Sequence, residues 1–183
     1  MSLQIAETSF PEVKIIKPQV FGDERGFFFE SFNARDFARQ VDVEAVFVQD
    51  NHSRSVKGVL RGLHYQIQHA QSKLVRVAEG EIFDVVVDVR RNSLSFGKWF
   101  GTTLSADNRQ QLWVPSGFAH GFVVLSESAQ VLYKTTDYWF PEHERCIAWN
   151  DSEIGIEWPI NFVPVLAGKD RAAKRLSEAE CFE

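Results

Sequence analysis

Short apolar runs rich in valine, phenylalanine and isoleucine recur along the chain, separated by glycine, aspartate, asparagine and serine. Runs of this kind, bounded by turn formers, read as strands. The candidates are Val13–Ile16, Gly26–Phe32, Phe47–Asn51, Val59–Gln66, Lys73–Ala78, Ile82–Val89, Trp99–Leu104, Gln111–Val114, His120–Leu125 and Gln130–Thr135. Ile82–Val89 is apolar at nearly every position, with Asp84 and Asp88 interrupting one parity, which suits a central strand covered on both faces.

Helical pattern is scarce. Asn33 is a good N-cap for a short helix over Ala34–Gln40, where Phe37 and Val41 lie one turn apart, and a further turn is expected over Ser177–Cys181. Beyond Pro141 the apolar periodicity weakens. Trp149, Trp158, Pro159 and Pro164 there suggest an arm lying across the main body, not a second domain. Many short, closely spaced strands predict an all-β sandwich or barrel, with a jelly roll leading, and with short peripheral helices. There is no internal repeat and no low-complexity segment.

Composition narrows the classes. At 183 residues the chain fits one domain spanning 1–183 with N-terminal and C-terminal arms. Hydrophobic residues at 44% and charged residues at 25% are the balance of a soluble globular protein. A formal charge of -5 argues against nucleic acid as a partner, since phosphate neutralisation needs a basic surface, yet it leaves room for one phosphorylated small molecule. No apolar stretch is long enough to span a membrane and no signal peptide opens the chain, so a cytoplasmic location is expected. Cys146 and Cys181, the only cysteines, have no metal-ligand spacing and are expected to be free thiols.

The richest chemistry lies in Gly58-Val59-Leu60-Arg61-Gly62-Leu63-His64-Tyr65-Gln66, where a guanidinium, an imidazole and a phenol share a strand-like run with two glycines. Arg61 and His64 have opposite parity on an ideal strand. Both reach one ligand only if the strand bends or bulges, which Gly62 allows. The second informative histidine is His120, in Pro115-Ser116-Gly117-Phe118-Ala119-His120-Gly121.

That second block resembles the second motif of the cupin superfamily, whose fold is a jelly-roll barrel. Metal-binding cupins supply a His-x-His pair and a downstream glutamate from the first motif. Here that pair reads His64-Tyr65-Gln66, and Lys73 stands near where a carboxylate would be wanted. Two histidines beside an ammonium make a poor divalent site, so no metal is expected and the imidazoles are left for proton transfer.

A more specific resemblance is carried by several blocks in order. They are Phe21-Gly22-Asp23-Glu24-Arg25-Gly26-Phe27-Phe28-Phe29-Glu30, Val48-Gln49-Asp50-Asn51-His52-Ser53, Leu60 to Gln66, Lys73 to Val77, Pro115 to Phe122, Tyr133-Lys134 and Trp149-Asn150-Asp151. Together they resemble the dTDP-4-dehydrorhamnose 3,5-epimerase family over nearly the whole chain. The resemblance implies a cofactor-free homodimer acting on a dTDP-sugar, with His64 as base, Asp170 as its partner and Tyr133 as acid. Tyr138 is a competing phenol. Lys73 is placed at the enolate oxygen, His120 near that oxygen or holding the site's hydrogen-bond network, and Arg61 at the pyrophosphate. Further contacts fall to Arg25, Phe28, Glu30, Gln49, Asn51, Glu144 and Lys169, with Arg25–Glu30 reaching a neighbouring subunit. Arg145, Trp139 and Lys174 depart from residues common in the family. Alternatives on the same scaffold are a monofunctional 3-epimerase, a 3,4-ketoisomerase, a non-catalytic sugar-nucleotide binder and a metal-dependent cupin.

Overall fold

A computed structural model describes residues 3–183. In chain order the strands are β1 (Leu3–Glu7), β2 (Lys14–Pro18), β3 (Val20–Asp23), β4 (Gly26–Phe29), β5 (Gln49–Val56), β6 (Leu60–Gln66) and β7 (Lys73–Glu79). There follow β8 (Glu81–Asp88), β9 (Trp99–Ser105), β10 (Gln111–Val114), β11 (Phe118–Val124), β12 (Ser128–Thr135) and β13 (Glu144–Cys146). The helices are α1 (Ala34–Gln40) and α2 (Gly168–Arg171), with 3-10 turns at Pro141–His143 and Leu176–Glu178.

Two antiparallel sheets result. One has the order β1-β2-β10-β7-β12-β5, the other β13-β6-β11-β8-β9, and β3-β4 forms a separate hairpin. This is the all-β barrel that the strand pattern predicts, of the cupin type that the resemblance implies. Val75, Val77, Leu112, Val114 and Val131 of the first sheet meet Ile82, Val86, Leu104, Phe118 and Phe122 of the second in one buried cluster. Each such side chain, fully buried, is worth roughly 1.5–3 kcal/mol, so this cluster dominates the stability of the barrel.

Both sheets are also covered from outside. Ile16, Leu74 and Trp113 pack against Phe37 of α1 on the first. Leu63, Tyr65, Val85 and Val87 pack beneath Ile147, Ile154, Leu176 and Ala179 on the second. The arm expected after Pro141 is therefore the outer layer of the five-stranded sheet. β8 is sandwiched as its sequence predicts, and Asp84 and Asp88, both fully buried, take the inward parity.

The helix over Ala34–Gln40 forms at its expected limits, and the Asn33 side chain accepts a bond from the Asp36 amide at 3.2 Å. Other boundaries move. The strand expected at Phe47–Asn51 begins at Gln49 and runs to Val56, and Gly26–Phe32 stops at Phe29. The turn expected over Ser177–Cys181 is the 3-10 turn at Leu176–Glu178. β1, β3, β13 and α2 add to the expected set.

The bend in β6 is present. His64 pairs with His120 while Arg61 pairs with Phe122, so three steps on β6 match two on β11 and the strand carries a bulge. Gly62 lies within it at φ +135. A Cβ there would stand 2.5 Å from the Gly121 Cα and 3.0 Å from the His120 carbonyl oxygen. Gly62→Ala is thus expected to cost about 2–4 kcal/mol, from an unfavourable φ plus a backbone clash, read as a lowered denaturation midpoint at unchanged slope.

Candidate active site

The bulge decides which side chains meet. Leu63 and Tyr65 face the outer layer, and on a regular strand Arg61 would share their side. The extra residue turns Arg61 inward, so Arg61 and His64 line the same cleft of about 350 Å³ at one end of the barrel.

His64 Nε2–H donates to Asp170 Oδ1 at 2.6 Å. Asp170 comes from α2 in the outer arm and is 3% exposed. Burial pushes its carboxyl up, but the His64 bond and the charges of His64 and Lys169 outweigh that and hold it below the ordinary carboxylate range. Burial in turn pushes the His64 imidazole down, more than Asp170 raises it, with Lys169 and Lys73 adding to the drop. The pair therefore rests as neutral imidazole and carboxylate at neutral pH. With the Nε2 proton held by Asp170, the basic nitrogen is Nδ1.

The opposing wall is the six-stranded sheet. Tyr133 of β12 lies between Asn51 of β5 and Val75 of β7 in register, on the inward side. Burial pushes its phenol up, so it stays protonated. Lys73 sits two residues before Val75, and its Nζ donates to the His64 carbonyl oxygen at 3.4 Å. Burial lowers its ammonium to about 8, although Glu144 and Asp84 hold part of the charge in place.

His120 enters beside His64. Its Nε2–H donates to both oxygens of buried Asp84, at 2.9 and 3.0 Å. Sequence reasoning placed His120 but gave Asp84 no part in the site. The signal available was a carboxylate breaking the inward parity of an otherwise apolar central strand. A second missed residue is Cys146 of β13, which pairs in register with His64 and whose Sγ lies 3.7 Å from Asp170 Oδ1. Burial and Asp170 push this thiol up to about 12. Its proximity comes from strand pairing, which spacing along the chain does not reveal.

At the mouth, Arg61 Nε donates to Ser55 Oγ at 3.0 Å, and Lys169 Nζ donates to Glu144 Oε1 at 2.7 Å. Gln49 Oε1 accepts from the Trp139 amide at 3.2 Å, and Gln49 Nε2 donates to Asn51 Oδ1 at 3.0 Å. Gln66, at the position of the absent second imidazole, has other work. Its amide donates to the carbonyls of His69 at 2.7 Å and Tyr138 at 3.2 Å, and its Oε1 accepts from the Phe140 amide at 2.8 Å. The residue that lacks a metal-binding group thus tethers the rim loop.

Most predicted residues gather in this cleft: His64, Asp170, Tyr133, Lys73, Arg61 and His120, with Gln49, Asn51, Glu144 and Lys169 at its edges. Four do not. Tyr138 is 57% exposed and lies off the cleft, which separates it from Tyr133. Arg25 and Phe28 belong to the exposed β3-β4 hairpin, where Arg25 Nε donates to Asp23 Oδ1 at 3.1 Å, and Glu30 follows that hairpin outside the cleft.

Comparison with known proteins shows which family the chain resembles. Residues 7–178 match a family model described as dTDP-4-dehydrorhamnose 3,5-epimerase. A relative of that description from Pseudomonas aeruginosa is 58% identical over 180 residues, covering 98% of this chain and 99% of the relative. A solved 3,5-epimerase from Legionella pneumophila, in complex with dTDP-4-keto-L-rhamnose, superposes with a TM-score of 0.95 at 51% identity, covering 97% of this chain and 94% of the other. A more distant neighbour is a 3'-monoepimerase from Streptomyces bikiniensis in complex with dTDP-quinovose, with a TM-score of 0.87 at 29% identity over 93% of this chain and 86% of the other.

Proposed function

The chain belongs to the dTDP-4-dehydrorhamnose 3,5-epimerase family, and on that footing we propose how its own residues invert C3 and C5 of dTDP-4-dehydro-6-deoxy-D-glucose to give dTDP-4-dehydro-L-rhamnose. The observation that carries the reading is a neutral His64 imidazole bonded to the Asp170 carboxylate on one wall of a cleft and a protonated Tyr133 on the other.

The 4-ketone acidifies the hydrogens on both flanking carbons. His64 Nδ1 removes one, and the imidazolium that forms is stabilised by Asp170. The electron pair moves onto the ketone oxygen, where the Lys73 ammonium meets it, with His120 held beside the site by Asp84. A fixed charge in a buried site acts there without reorganisation. Tyr133 then delivers a proton to the opposite face of the carbon, and inversion is complete. His64 gives its proton to solvent, Tyr133 regains one, and the second carbon follows. Only protons move.

Turnover in D2O is the test: deuterium is expected at both C3 and C5. Label at one carbon alone would overturn the double inversion and favour a monoepimerase, like the Streptomyces bikiniensis neighbour, or a ketoisomerase.

The pH profile follows from the same groups. As pH falls, His64 takes up a proton and stops acting as a base. Because burial lowers its pKa from 6.5, that loss is expected below 6.5. As pH rises through about 8, Lys73 loses its charge while Tyr133 remains protonated, so the first alkaline loss belongs to Lys73. Measuring kcat against pH for Lys73→Arg, which does not titrate in this range, is expected to move the alkaline limb upward at a reduced maximum. An unmoved limb would remove Lys73 from that role.

We place Arg25, Phe28 and Glu30 in the cleft of a second copy, with a homodimer as the working enzyme. The exposure of Phe21, Phe27 and Phe28, at 47%, 58% and 64%, supports this, because a hairpin with that much bare aromatic surface calls for a cover. Mixing inactive His64→Ala and Arg25→Ala chains is expected to restore activity through mixed dimers that hold one complete cleft. No recovery on subunit exchange would confine each cleft to its own chain. A dTDP-sugar as substrate also fits a cytoplasmic enzyme with unpaired cysteines. Among the described residues, no helix is long and apolar enough to cross a membrane.

A further inference from the structure

The dyad has a third neighbour that proton transfer does not use. Cys146 stands directly across from His64 on the paired strand β13, and Asp170 reaches both from α2. One ligand atom from each of the three residues lies within 4.8 Å of the others. Tetrahedral zinc binds sulfur at about 2.3 Å, imidazole nitrogen at about 2.0–2.1 Å and carboxylate oxygen at about 2.0–2.2 Å, which sets its ligand atoms about 3.3–3.8 Å from one another. The thiol and carboxylate already stand at 3.7 Å. The Nε2–Oδ1 pair, at 2.6 Å, has to open by only about 1 Å, within the reach of side-chain torsions.

The donor types matter as much as the spacing. Thiolate and imidazole favour thiophilic and borderline cations over magnesium or calcium, and three protein ligands leave a fourth position for water on the cleft side. The nearby ammonium groups of Lys73 and Lys169 limit the affinity. They make a site that answers to an added cation in place of one that needs a resident ion.

We propose that His64, Cys146 and Asp170 form an inhibitory site for a thiophilic divalent cation of the zinc class. Binding forms metal–sulfur, metal–nitrogen and metal–oxygen bonds. The Cys146 proton leaves to solvent, and the His64 ring proton moves from Nε2 to Nδ1. No electron is transferred. The nitrogen that serves as base is then protonated and blocked. The inhibition, though not the binding, rests on the role given to His64 above.

Untagged, chelator-stripped protein titrated with Co2+ is expected to bind one equivalent with a thiolate-to-cobalt charge-transfer band, which Zn2+ then displaces. Losing even an outer partner of a metal ligand weakens binding 10- to 100-fold, so Cys146→Ser should abolish the band and weaken Co2+ by at least about tenfold. Asp170→Asn, which keeps the thiol, should retain a weaker band. Deuterium exchange into substrate should fall in step with occupancy and return on chelation. Absence of the band, or a band and affinity untouched by Cys146→Ser, would overturn the proposal and place any bound cation elsewhere, such as the exposed His69–Asp137 pair. A normal band with undiminished exchange would keep the cation site and overturn His64 as the base.

Discussion

Replacing His64 by alanine is expected to abolish solvent deuterium exchange at both C3 and C5 and to lower turnover by about 10²–10⁴. The size follows from what is lost: the half-buried, neutral imidazole whose tautomer Asp170 fixes. Substrate binding should survive, since the Arg61 and Lys169 side chains bond to Ser55 and Glu144 and not to the imidazole. The signature is therefore a fall in kcat with little change in Kd for the sugar nucleotide. Retained exchange at either carbon would show a second base, and His120, held by Asp84 in the same cleft, would be the first candidate.

Tyr133→Phe should separate abstraction from inversion. The base is intact, so the enolate still forms, and His64 exchanges its proton with D2O before returning a deuteron to the original face. Deuterium is then expected to enter the starting sugar while formation of the L-sugar falls by about 10²–10⁴. No base mutation can imitate that pattern, because losing the base stops both events. Tyr138→Phe is expected to leave both near the wild-type level, as its side chain lies off the cleft. Loss of exchange in Tyr133→Phe would mean that the phenol shapes the cleft without acting as the acid.

The barrel was legible wherever strands pack apolar side chains. β8 and β11 show it best, because burial on both faces leaves them rich in valine and phenylalanine. β5 was misplaced for the complementary reason. Its sequence QDNHSRSV contains one apolar residue, since its inward positions Asn51 and Ser53 line the cleft instead of the core. Functional demand erases the alternation by which strands are read. β13 and α2, at three and four residues, are too short to carry a period of their own.

The site shows the same division. The roles of His64 and Asp170 came from a family resemblance, and their 2.6 Å contact bridges 106 residues of chain. Arg61 and His64 were read as compatible only through a bend at Gly62, and the register shift supplies it. Asp84, Cys146 and the tethering role of Gln66 were not foreseen, because each depends on which strand or loop lies alongside.

Asp170 has one more consequence, through the segment that carries it. The outer arm lends the barrel only its edge strand β13, yet half of the proton-handling pair rides on that arm. It is fastened by Ile147, Ile154, Leu176 and Ala179 and by short bridges, Val59–Val165 and Arg90–Phe182. Catalytic competence is therefore a report on docking of the last quarter of the chain, which sets Asp170 against His64. The grip of that strap is thus as much a part of the working site as the chemistry beneath it.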